Sequence, residues 1–321
     1  MAPSTTLGNA DTAAPPAAPM ELRVLSVTHD PLVDSRSGRR LSEVMGWHNA
    51  RELEAQYARD VEAASHGLLR YRVVERREID GFPAKVDGFQ YAAAAYLRCW
   101  RAGGGFREPD SVDYHALLSQ VKAAERVDAG EVDEVWLFGF PYCGYYESMM
   151  VGPGAFWCNA PPLPPQGRTI TLPRCGRRFV VMGFNFERDV GCMLENLGHR
   201  AESIMAEVYA GRHGEHNLWH RFTRYEQTAP GQASAGNVHF APNSRHDYDW
   251  GNSQAVWSDC DDWLRFPHLT GERKRVTCRD WGDGDMRQHH MWWFNRLPHV
   301  AGQTDGVLNN WWTYIGDPNN V

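Results

Sequence analysis

The 321-residue chain contains almost no lysine: Lys85, Lys122 and Lys274 are three among 33 basic residues. No apolar run approaches the roughly 18 residues of a membrane span, and no Cys-x-x-Cys pair is present. A Gly-x-Ser-x-Gly elbow, a phosphate loop and a Gly-x-Gly-x-x-Gly turn after a strand are also missing. These absences exclude a membrane-spanning helix, a thiolate zinc ribbon, an elbow-type serine hydrolase, a P-loop nucleotidase and a standard dinucleotide site. A net charge of −7 with a pI near 6.1 argues against nucleic-acid and anionic-membrane partners.

Residues 1–19 carry no basic residue and no apolar stretch of seven. They lack both parts of a secretory leader and read as a disordered tail. The folded part is expected at residues 20–321, with a core over about 20–210 and an irregular cover over about 211–321. Seven cysteines without an export signal are expected as reduced thiols, which places the chain in the cytoplasm. In an exported protein, Cys158/Cys175 and Cys260/Cys278 would be the pairs able to form disulfides.

What the chain has in abundance is aromatic and imidazole side chains: 13 Trp, 12 Tyr, 13 Phe and 14 His. That aromatic content is incompatible with disorder throughout. Short apolar runs at 22–27, 71–75, 134–140 and 179–185 read as strands buried on both faces. Helical periodicity covers 50–65, a segment near 91–101, 112–129 and 189–210. The alternation predicts an α/β fold with a largely parallel central sheet and helices on both faces. Beyond about residue 211 the periodicity weakens, and Trp, His, Asp, Asn and Gly become dense. That portion is expected to pack on the α/β core as its cover.

Ligands in open α/β sheets collect beyond the carboxyl ends of strands. Two runs end in unusual polar segments there, which makes Tyr145, Glu147, Asn185, Glu187 and Arg188 candidate cleft residues. Asp189 is expected to cap the following helix.

That helix, around DVGCMLENLGHRAES, carries an apolar stripe of Val190, Met193, Leu194, Leu197, Ala201, Ile204, Met205 and Val208. Glu195, His199 and Glu202 occupy a sector of about 60° opposite it. The adjacent positions are small (Gly191, Cys192, Gly198, Ala206), which predicts that another segment covers this face closely. Carboxylates and an imidazole buried together need a cation or arginines. His199 and Glu202 form a His-x-x-Glu pair of the kind that binds zinc with a distant third histidine, and His239 is the expected partner. His289 and His290 are rivals. Glu195 or Glu187 would act as general base, or Glu195 would orient the imidazole. Arg188 or Arg245 would fork a substrate carboxylate. A buried His–Glu hydrogen-bond network without metal, or pairing of this face with Arg200, is the alternative.

Other signals are weaker. Asp247/Asp249 and Asp283/Asp285 space oxygen ligands like half of a calcium loop, or else form Asx-turns. Trp292-Trp293 and Trp311-Trp312 would be sugar-stacking platforms or core anchors.

The chain resembles a family of bacterial proteins through VDEVWLFGFPYCGYYES, GPGAFWCNAPP, FVVMGFNFERDVGCMLENLGHRAES, VHFAPNSRHDYDWGN and AGQTDGVLNNWW. The resemblance spans most of 21–320. No established activity attaches to that family, so it implies no reaction and no site residue. The His-x-x-Glu followed by a later His is also similar to zinc carboxypeptidases, although the gap to His239 is shorter than is usual there.

The leading expectation is therefore a metal-dependent hydrolase, with zinc, acting on an amide or peptide-like bond. A glycoside hydrolase using Glu147 and Glu187 at about 5–10 Å is the second. A non-catalytic carbohydrate- or peptide-binding protein is the third.

Overall fold

The computed structural model describes residues 17–167 and 170–321. The tail expected over 1–19 falls almost wholly outside the described residues. Five strands form the central sheet: Met20–His29 (β1), Leu69–Ile79 (β2), Glu134–Gly139 (β3), Ser148–Val151 (β4) and Phe179–Asn185 (β5). Their order is β2-β1-β3-β5-β4, parallel throughout except for β4, which runs antiparallel to β5 at the edge. This is the expected largely parallel α/β sheet.

Strand alternation sends side chains to two separate hydrophobic clusters. Trp136 and Phe138 of β3 enter one, while Val135 and Leu137 enter the other. Helices cover both faces. Ala50–Ala64 (α1) and Val190–Val208 (α5) pack into the larger cluster, and Tyr114–Gln120 (α3) and Ala123–Asp128 (α4) into the smaller. Ala93–Ala102 (α2) lies just beyond the end of β3, its Tyr96 hydroxyl donating to the Pro141 carbonyl at 2.9 Å.

The helix expected over 112–129 is two helices, with Lys122 at φ 52° between them. Leu117, Leu118, Ala123 and Val127 are buried together across the break, so apolar spacing alone does not reveal it. β4 went unrecognised because four buried residues are too short a run to show a period.

The portion after residue 211 is largely irregular, as expected, but it holds two short antiparallel strand pairs and three α-helices, the longest of them Met286–Phe294 (α6). Asp285 caps α6 by accepting from the Gln288 amide, and α6 packs against α5. Trp293, Trp311 and Trp312 are fully buried and Trp292 is nearly so. The paired tryptophans are thus core anchors, and the stacking-platform expectation is withdrawn. All seven cysteines are free thiols, and neither Cys158/Cys175 nor Cys260/Cys278 is bridged. No helix among the described residues is long and apolar enough to cross a membrane.

One ionic contact ties these layers together. Arg200 of α5 donates through Nη1 to Glu134 Oε2 of β3 at 2.6 Å and through Nη2 to the Gly316 carbonyl at 3.0 Å. Trp136 Nε1 donates to the other Glu134 oxygen at 2.8 Å. Both charged side chains are 1% exposed. Burial would lower the Arg200 pKa, but Glu134 outweighs it and keeps the guanidinium charged. Removing one partner strands the other charge in the core. Glu134→Gln is therefore expected to destabilise the fold by about 3–5 kcal/mol, read as a lowered urea midpoint in equilibrium unfolding.

Candidate metal centre

α5 is covered on both sides. Its apolar stripe packs on the sheet, with Leu194, Leu197, Ala201, Ile204 and Met205 buried. Its opposite face is closed by the segment around Val238. A Cβ built on Gly198 would meet Val238 Cγ2 at 2.4 Å and Val238 Cβ at 3.0 Å. Glycine at 198 is thus what lets the segment carrying His239 lie directly on the helix. The prediction that small residues mark a close cover holds in the structure.

Glu195, His199 and His239 each direct one ligand-type atom to a common centre, and all three atoms lie within 4.8 Å of one another. Among the described residues this is the one such group of three. His239 Nε2 is 3.0 Å from Glu195 Oε1, and the two imidazoles meet edge to face at 4.7 Å. Each imidazole engages a second carboxylate through Nδ1: His199 with Glu202 Oε2 at 3.1 Å, and His239 with Asp247 Oδ1 at 2.9 Å. Those contacts leave Nε2 of each ring facing inward. They also fix ring orientation in the manner of carboxylate–histidine–metal sites.

Glu202, expected as a ligand, is instead the partner of His199 Nδ1, and it also accepts from the Val238 amide at 3.2 Å. Glu195, one turn earlier on α5, takes the position expected of it. His289 and His290 are fully buried behind Trp250, and His290 Nε2 is within 3.1 Å of the Val238 carbonyl. Burial lowers the His290 pKa to about 4 and holds His289 well below the ordinary imidazole range. Neither joins the cluster.

Burial alone would raise the Glu195 pKa, but hydrogen bonds from His239 and Tyr248 prevail and hold it below the usual carboxylate range. Burial likewise opposes the charge on His199, yet Glu202 carries its pKa above the ordinary value. His239 is raised chiefly by its hydrogen bond to Glu195. Glu195, Glu202 and Asp247 thus concentrate negative charge around two imidazoles, the electrostatic setting that favours a cation.

A cavity of about 360 Å³ opens beyond the carboxyl ends of β3 and β5, where α/β sheets place their ligands. Glu195, Glu147, Tyr145, Asn185 and Arg188 belong to its wall, together with Tyr142, Cys143, Cys192 and Tyr248. Gly183 permits this arrangement, since a Cβ there would meet the Tyr146 carbonyl oxygen at 2.2 Å. Glu147 Oε2 lies 3.9 Å from His199 Nε2 and accepts from Asn159 Nδ2. The Tyr145 hydroxyl is bonded to His29 Nδ1 at 2.6 Å. Arg188 sits against the Cys192 thiol.

Two expected site residues, Glu187 and Arg245, lie elsewhere. Glu187 is outside the cavity wall, on the side of Tyr96. Arg245 is exposed, donating its amide to Asp249 and its guanidinium to Gln254. Asp189 caps α5 through the Gly191 amide, as expected. Asp249 accepts from Arg245 and Asn252, and Asp285 caps α6, so these carboxylates close turns. Asp283 stands at φ 53° beside the Cys278 thiol.

Tyr248 and Asn159 were not singled out by sequence. The available signal for Tyr248 was its place nine residues after His239, across the turn at Pro242-Asn243. Comparison with protein-family models, curated proteins and solved structures finds no match.

Gly198→Ala is expected to displace Val238 and with it His239. The variant should lose about 1–3 kcal/mol of stability, measured by thermal or denaturant unfolding.

Proposed function

We propose that the protein is a metal-dependent hydrolase that holds a zinc-type ion on Glu195, His199 and His239 and cleaves an amide or peptide-like bond. The supporting observation is the convergence of those three atoms within 4.8 Å beside a cavity, with each imidazole oriented by a carboxylate. Two imidazoles and one carboxylate are the donor set of several zinc hydrolase centres, which leave a further position for water or substrate. An ion there would polarise a carbonyl and acidify a water.

The remaining groups divide the work around that position. Glu147, exposed to the cavity and steadied by Asn159, is placed to accept a proton from the attacking water. Arg188 offers a guanidinium fork to a substrate carboxylate. Tyr145 and Asn185 shape the wall between them. A cavity of about 360 Å³ suits a small substrate or one end of a peptide or glycan. Seven free thiols suit a reducing compartment such as the cytoplasm.

The same cavity bears on the other two readings. A glycoside hydrolase would need Glu147 and Glu187 across one cleft, and Glu187 lies outside the wall. A binding protein would line a groove with tryptophans and arginines, and no tryptophan belongs to this cavity's wall.

Elemental analysis of protein purified without an affinity tag tests the metal directly. About one equivalent of a transition metal is expected. His199→Ala should reduce it to background and abolish cleavage across a panel of short peptides and N-acylated amino acids. Background metal in the parent protein, unchanged by His199→Ala, contradicts the proposal.

A further inference from the structure

A fourth side chain reaches the centre formed by Glu195, His199 and His239. The Tyr248 hydroxyl lies 2.9 Å from Glu195 Oε1 and 3.2 Å from His239 Nε2, and those two atoms are 3.0 Å apart. Ligand atoms bound at about 2.0–2.1 Å to a tetrahedral ion stand roughly 3.4 Å from one another. The three observed edges are close to that spacing, so an ion contacting Glu195 and His239 would have the phenol oxygen within reach.

The chain holds the phenol there from several sides. Tyr248 adopts φ 59°, a conformation uncommon for a large side chain. Its amide donates to the His239 carbonyl at 3.2 Å, and its ring packs edge to face on Trp250 at 5.1 Å. The preceding residue, Asp247, orients His239 through Nδ1. One short loop therefore positions the phenol and a histidine ligand together. Tyr248 is also 47% exposed and forms part of the cavity wall, so it can swing away without disturbing the core.

We propose, building on the metal reading above, that Tyr248 is the fourth protein ligand of the centre. The resulting Glu–His–His–Tyr site is closed at rest, and an incoming water or substrate carbonyl displaces the tyrosine. Ligation as phenolate sends the phenol proton to solvent, with a cation at the centre providing the compensating charge. On displacement the departing oxygen takes a proton back, from the incoming water or, when a carbonyl enters, from solvent. A hard anionic oxygen beside two imidazoles also suits oxidised copper and iron as well as zinc.

Copper(II) is the probe that separates this proposal from the metal reading, because a bound phenolate absorbs visible light by charge transfer and the other three ligands do not. Full-length, metal-stripped protein is titrated with copper(II) while visible absorption and bound metal are recorded. The expected result is one equivalent bound with a phenolate band. Tyr248→Phe should abolish the band and weaken zinc binding by about tenfold or more. Tyr146→Phe, an exposed tyrosine outside the cavity wall, should keep both. Matching circular dichroism spectra establish that the variants are folded. One equivalent bound without the band, or a band that survives Tyr248→Phe, overturns the tyrosine ligand and leaves the three-residue centre standing. No specific metal uptake by the parent protein overturns both.

Discussion

The buried pair between Arg200 and Glu134 is the constraint on which the rest of the molecule depends. Desolvating two charges is expensive, and it is tolerated only where geometry and further hydrogen bonds are complete. Here Glu134 is shared with Trp136, and Arg200 is shared with the Gly316 carbonyl. The sheet, the central helix and the chain terminus therefore meet at one point with a fixed register. Because Arg200 must face the sheet, the helical period turns Glu195, His199 and Glu202 toward the opposite side. The rotational phase of that helix is set by an ion pair, and the Glu195/His199/His239 cluster inherits it.

A helix covered on both sides needs two kinds of surface. On the sheet side, branched aliphatic residues provide the burial. On the other side, Gly198 provides proximity, and the segment with Val238 and His239 comes as close as backbone and side chain permit. Carboxylates enclosed in such a seam would be costly without partners. Each is engaged: Glu195 by His239 and Tyr248, and Glu202 by His199 and the Val238 amide, while the exposed Asp247 holds His239 from outside. The irregular composition of the C-terminal portion follows from this task. It must supply polar groups at particular points along a helix face, which regular secondary structure would not do.

Much of this was legible from sequence because it depends on period and residue size. The parallel strands appeared as short apolar runs, and the face with Glu195, His199 and Glu202 appeared on a helical wheel. Gly191 and Gly198 signalled a close cover before the cover was known. What sequence did not show was which carboxylate meets the centre. Glu195 and Glu202 flank His199 at i−4 and i+3, and a wheel places both on the same side. The choice is made by Val238, whose amide engages Glu202, and by His239, which arrives against Glu195. Tyr248 was hidden for a similar reason: its approach depends on a turn through φ 59°, which no periodicity encodes. The break at Lys122 escaped because local apolar spacing continues unchanged through it, and the edge strand at 148–151 because it is too short to show a period.

The most direct measurement is crystallographic: anomalous diffraction above and below the zinc edge, from crystals of tag-free protein equilibrated with zinc. The account predicts a single strong anomalous peak about 2.0–2.1 Å from a Glu195 oxygen and from Nε2 of His199 and His239. Density at that point with no anomalous signal, or a peak held by Glu202 with Glu195 turned away, would contradict it.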